Sequence, residues 1–126
     1  VIALDTSFLI DYLRGLEATE TFLEERRAPV YYVPTVSLFE VYRDAAWSDT
    51  GTVESVADAV GWTEPLPFDA AAVEEAARIH AELLAAGTPI NAADVMIAGV
   101  CRHHGATLVT RDGEFEAVDG LETLAY

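Results

Sequence analysis

Apolar positions along the chain switch between strand-like and helix-like spacing. Residues 1–5, VIALD, form a continuous apolar run that ends on an acid, as expected of a strand buried on both faces. A helical period covers 6–14 and stops at Gly15. A second covers 16–27, where Ala28-Pro29 ends it. Val30 to Val33 read as a short strand closed by Pro34, and 35–47 as a helix. Ser48-Asp49-Thr50-Gly51 reads as a loop, and 53–60 as another helix. Thr63 to Phe68 fits an edge strand, since Pro65 and Pro67 lack the N–H that a central strand must donate. A long helix is expected over 69–87. Another opens at Pro89-Ile90-Asn91, runs to His104 and stops at Gly105. Residues 106–110 read as a strand, Arg111-Asp112-Gly113 as a turn, and 122–126 as a last short strand. Strands alternating with helices predict an α/β fold with a mostly parallel sheet. With no internal repeat, low-complexity tract or linker, residues 1–126 are expected to form one domain.

Composition narrows the class. Apolar residues make up 52% of the 126, enough for a sizeable core. No apolar run reaches the roughly 20 residues of a membrane span. Asp5 interrupts the opening run and no basic region precedes it, which argues against a signal peptide. The first residue is Val rather than Met, so loss of an initiator or short leader is expected. A lone cysteine, Cys101, excludes an internal disulfide and a multi-cysteine zinc site, and reads as core. These features predict a soluble, cytoplasmic protein.

Charge changes the picture most. Asp and Glu number 22 against 7 basic residues, a net charge of −15, and all the basic residues are Arg. A basic partner would suit such a surface. So would a salt-saturated cytoplasm, where the Debye length falls to about 3 Å at 1 M and self-repulsion is short-ranged. The missing Lys, with abundant Ala, Val and Thr, favours this halophilic reading.

Four acids stand out by position. Asp5 and Asp112 lie at the carboxyl ends of expected strands, where open α/β sheets bind ligands. Glu40 and Asp94 lie in early helix turns. Each has a structural explanation: Asp5 as a helix cap, Ser37–Glu40 and Asn91–Asp94 as capping boxes, Asp112-Gly113 as a turn. Glu40 also has Arg43 nearby for a local ion pair. Asp94, however, extends the stripe of Ile97, Ala98 and Cys101, which faces the core. A carboxylate pointing that way must be paired, hydrogen-bonded or metal-bound. Convergent acids with so few cations favour a hard divalent ion over zinc.

The set DTS at 5–7, the helical Glu40, GTPI at 87–90, ADVMIA around Asp94 and LVTRDGEF at 108–115 resembles the PIN domain. Within it the chain is similar to VapC-type toxin ribonucleases, along essentially its whole length. The resemblance implies an α/β/α sandwich with a five-stranded parallel sheet and an acidic pocket binding Mg²⁺ or Mn²⁺. It further implies metal-dependent endoribonuclease activity. The motif places Asp5, Glu40 and Asp94 as the first three acids and Asp112 as the fourth, with Glu114 in reserve. Thr6, Ser7 and Thr110 become the hydroxyls that hold them. It also implies an RNA substrate, a small antitoxin partner and a homodimer.

Other classes remain to be set against this one. A phosphoacceptor receiver domain also clusters acids at strand ends, but it needs a strand-end Lys, and there is none. A housekeeping RNA-processing nuclease of the same fold, or a non-catalytic module binding RNA or protein, keeps the fold and changes the role. The aromatics Phe39, Tyr42, Trp47 and Trp62 suit either partner contacts or the core. His80, on the stripe Val73, Ala77, Leu84, reads as a half-buried structural histidine. His103 and His104 suit a helix end. The Arg residues available to RNA are Arg14, Arg43, Arg78, Arg102 and Arg111.

Overall fold

The computed structural model describes residues 1–49 and 51–126. Thr50, within the loop expected at 48–51, lies outside the described residues. The elements run β1 (Ile2–Leu4), α1 (Thr6–Leu13), α2 (Glu17–Glu25), β2 (Tyr31–Pro34), α3 (Thr35–Trp47) and α4 (Val53–Ala59). They continue with β3 (Glu64–Leu66), α5 (Ala70–Ala86), α6 (Ala92–His104), β4 (Thr107–Val109), a 3₁₀ turn (Gly113–Ala117) and β5 (Glu122–Leu124). The sheet has five strands in the order β3-β2-β1-β4-β5, and every pair is parallel. β3 lies at the edge, where its proline is tolerated.

Successive residues of the inner strands face opposite ways and feed two cores. Ala3 and Leu108 point to one side, against α5, α6 and Phe115 of the 3₁₀ turn. Leu4, Val33 and Val109 point to the other, against Phe8 and Leu9 of α1, Phe22 of α2 and Val41 of α3. The sheet is thus covered on both faces, which explains why its short strands carry continuous apolar runs. The α/β/α architecture follows directly. Among the described residues, no helix is long and apolar enough to cross a membrane.

Most boundaries agree with the sequence pattern to within a residue or two, but three local readings change. Ser37 is not a cap, because α3 already begins at Thr35, and its hydroxyl is buried without a hydrogen-bond partner among the described residues. The 3₁₀ turn after Asp112 has too short a period to show in the pattern. The buried face of α5 is Ala72, Ala76, Ile79 and Leu83, one residue away from the expected stripe. Val73, His80 and Leu84 are exposed.

The cause of that rotation is the α5–α6 crossing. A Cβ placed on Gly99 of α6 would stand 2.7 Å from the Ala76 Cβ and 2.9 Å from the Ala72 carbonyl oxygen. Only an alanine face lets the two helices approach so closely, so the bulkier Val73–Leu84 face turns outward. Cys101 and Ile97 are fully buried on α6, as their stripe implied. At its end Gly105 adopts φ 63°, the left-handed cap that redirects the chain into β4.

Candidate active site

Strand order creates the site. The chain leaves β1 for β2 on one side and returns to β4 on the other, so the carboxyl ends of β1 and β4 flank a switch point. Asp5 directly follows β1, while Thr110, Arg111 and Asp112 follow β4. β1 and β4 register Leu4 against Val109, and the Asp5 N–H donates to the Val109 carbonyl at 3.0 Å. The sheet itself therefore fixes the Asp5 backbone.

Asp5 occupies the N-cap position of α1, yet its side chain makes no capping hydrogen bond. Its Oδ2 accepts instead from Thr110 Oγ1 at 2.7 Å and from Ser7 Oγ at 3.0 Å. Among the described residues, its Oδ1 is buried with no hydrogen-bond partner. Burial raises the Asp5 pKa above the ordinary carboxylate value, and the hydroxyls of Thr110 and Ser7 oppose that rise. An orphaned buried acceptor costs about 1–3 kcal/mol, and more when charged.

The remaining acids converge from other elements. Asp94 sits in the first turn of α6, where Asn91 caps the helix by accepting from the Asp94 N–H at 2.9 Å. The Asn91 amide also donates to Asp94 Oδ2 at 2.7 Å. Capping and carboxylate orientation thus coexist at one pair. Asp112 caps the 3₁₀ turn through the Glu114 N–H, at 2.9 Å, and its own N–H donates to Thr110 Oγ1 at 3.0 Å. Glu40, on α3, accepts from Thr6 Oγ1 at 2.8 Å. Arg43 lies over the Phe39 ring, 5.5 Å from its centre, and makes no ion pair with Glu40.

Asp94, Asp112 and Glu114 each offer a carboxylate oxygen within 4.8 Å of the others, close enough to share one cation. Asp5 and Glu40 stand beside this trio rather than inside it. Burial lifts the Asp94 carboxyl to about 6, the Asn91 hydrogen bond opposes the rise, and the charges of Asp5, Asp112 and Glu40 add to it. None of these five acids has an ion-pair partner among the described residues. A hard divalent ion matches an all-oxygen donor set with an unpartnered buried oxygen next to it.

One group near the site was not anticipated. Asp11 of α1 is buried, with its carboxylate bound by Arg111 Nη1 at 2.7 Å and by the Tyr126 hydroxyl at 2.7 Å. Its spacing of four residues from Ser7 on a helix was the available signal. A groove of about 590 Å³ lined by Ile10, Leu13, Val41, Ala45 and Val56 lies elsewhere and includes none of the five acids.

A strand-switch pocket of unneutralised carboxylates on an all-parallel α/β/α frame defines the class, and the chain belongs to the PIN domain family, whose profile matches residues 2–121. Two of its relatives are VapC nucleases. It is 32% identical over 127 residues to Ribonuclease VapC5 of Mycobacterium tuberculosis, covering 96% of this chain and 90% of that one. It is 46% identical over 59 residues to the tRNA(fMet)-specific endonuclease VapC of Shigella flexneri, a match spanning 46% of this chain and 45% of the relative. The structure of DNA-bound VapBC from Salmonella typhimurium superposes with a TM-score of 0.83 at 27% identity, covering 98% and 96% of the two chains.

Proposed function

We propose that this chain is a VapC-type toxin that hydrolyses RNA phosphodiester bonds with Mg²⁺ or Mn²⁺ held at the strand-switch carboxylates. The observation that carries the reading is the cluster itself: Asp94, Asp112 and Glu114 gathered without an ion-pair partner among the described residues, next to an Asp5 oxygen buried without a hydrogen-bond partner among them. Asp94, Asp112 and Asp5 are the proposed ligands. Glu114 is a fourth, made available by the 3₁₀ turn. Bound there, a divalent ion relieves charge on the scissile phosphate and lowers the pKa of an attacking water.

The chain's own groups prepare that chemistry. Thr110 and Ser7 fix one oxygen of Asp5 and leave the other free. Asn91 orients Asp94 in the same manner. Thr6 holds Glu40 at the rim, where it steers the attacking water or binds a second ion. No 2′-hydroxyl nucleophile is required, so the products carry 5′-phosphate and 3′-hydroxyl ends. A small antitoxin and a second copy of the chain are the proposed protein partners. The Salmonella VapBC structure supports the first. The net charge of −15 supports work in concentrated salt.

Cleavage of labelled RNA in high KCl with Mn²⁺ or Mg²⁺ tests the proposal. Wild type should cut, while Asp94→Asn, Asp5→Asn and chelator should each abolish cutting. Undiminished cleavage by both variants, or in the presence of chelator, removes the metal mechanism.

A further inference from the structure

The buried Asp11 carboxylate lies outside the metal cluster, and its partners give it a purpose. It holds Arg111 through Nη1, at 3.0 Å from Oδ1 and 2.7 Å from Oδ2, while the Tyr126 hydroxyl donates to Oδ2 from the other side at 2.7 Å. The Tyr126 ring is itself anchored edge-on to Phe8, 4.8 Å away. The acid side chain is 5% exposed and the arginine side chain 54% exposed. A buried acid therefore pins a cation that keeps an open face. Among the described residues, Nε and Nη2 of Arg111 have no hydrogen-bond partner.

Position makes that open face informative. Arg111 lies between Thr110, which holds Asp5, and Asp112, one of the clustered acids. Its backbone N–H donates to Ser7 Oγ at 3.4 Å, so the residue is tied to the site as well as to Asp11. Ser7 and Asp11 share one face of α1, one turn apart, a rise of about 5.4 Å. The guanidinium is thus tethered about one helical turn along α1 from the carboxylates.

The four other arginines read above as available to RNA differ. Arg102 is consumed by Glu75, Glu82 and the Asp119 carbonyl, and Arg78 pairs with Glu75. Arg43 lies over Phe39, and Arg14 lines the groove away from the acids. We propose that Arg111, oriented by Asp11, binds a phosphate of single-stranded RNA next to the scissile one. Asp11 is then a positioning residue. This inference rests on the nuclease reading above and adds the group that sets the strand's register on an otherwise anionic rim. A guanidinium fork with free donors suits a phosphate better than a point charge does.

The test measures binding of a short labelled single-stranded RNA in Ca²⁺ across a salt series, and steady-state cleavage in Mn²⁺. Arg111→Gln, which keeps a donor for Asp11, should weaken binding about tenfold or more and reduce the slope of log affinity on log salt by about 0.7, one single-strand phosphate contact. KM should rise while kcat and Mn²⁺ affinity stay near wild type. Asp11→Asn should move KM in the same direction with the cation still present, and Arg111→Lys should recover part of the binding. The Asp11→Asn/Arg111→Gln double variant removes the buried unpaired charge, and an unchanged urea-unfolding midpoint separates a deficit in its RNA binding from misfolding. RNA binding and salt slope equal to wild type in that double variant would overturn the proposal alone. A wild type that binds no RNA overturns it together with the nuclease reading.

Discussion

Two groups of acids in this molecule meet opposite fates. On the α5–α6 flank, Glu75 and Glu82 close on Arg102 at 2.6 and 2.8 Å, and the Asp119 carbonyl takes a third donor of the same guanidinium. At the strand switch, Asp5, Glu40, Asp94, Asp112 and Glu114 share space with no ion-pair partner among the described residues. The first group is electrostatically complete, and its hydrogen bond to Arg102 lowers the Glu82 pKa. The second group is incomplete, and Asp94 is driven up to about 6. A chain with so few cations spends one on bracing helices, and the one at the switch point, Arg111, pairs with Asp11 rather than with these five acids. The difference separates acids that hold the fold from acids held ready for a ligand.

The sharpest way to break the contrast is to neutralise one acid of each group. Asp94→Asn should lower RNA cleavage by more than the roughly 100-fold at the top of the range for groups that only support a metal ligand. Glu82→Gln should leave cleavage unchanged in the same assay. Thr110→Val, which removes the 2.7 Å hydrogen bond to Asp5, should reduce Mn²⁺ affinity roughly tenfold to 100-fold, measured by titration calorimetry.

Smaller effects appear in stability. Arg102→Met removes charge-assisted hydrogen bonds from a partly buried cation and should cost about 2 kcal/mol in urea denaturation, with cleavage retained. Asp94 should act with the opposite sign. Its folded pKa of about 6 lies above the ordinary 3.8, so the folded protein binds the proton more tightly than the unfolded chain. Stability of the metal-free protein therefore falls as pH rises between those two values. Asp94→Asn should gain on the order of 1 kcal/mol above that window, the full shift being discounted for a half-exposed group. Below the window it should gain nothing. A loss of stability in this variant at neutral pH would show that the carboxylate is not under strain.

The fold was legible because its signals are local and redundant. The apolar run closed by Asp5 marked β1, the run ahead of the Arg111-Asp112-Gly113 turn marked β4, prolines demoted β3 to the edge, and Gly15, Gly87 and Gly105 ended α1, α5 and α6. Asp94 was readable as inward-facing because its stripe is otherwise apolar. What escaped depended on partners distant in sequence. In alanine-rich α5, two stripes look alike, and only the close approach of Gly99 on α6 selects the Ala72–Leu83 face. Asp11 could not be matched to Arg111 before folding brought the end of β4 beside α1. Glu114 gained its place through a five-residue 3₁₀ turn that leaves no periodic trace.

The central claim is that the strand-switch acids, which have no ion-pair partner among the described residues, bind a divalent ion. Calorimetric titration of Mn²⁺ into RNA-free protein, near neutral pH in concentrated KCl, tests it most directly. Wild type and Arg102→Met should bind the ion alike, and Asp94→Asn should lose that binding. Absence of binding by wild type, or equal binding by Asp94→Asn, would contradict the account.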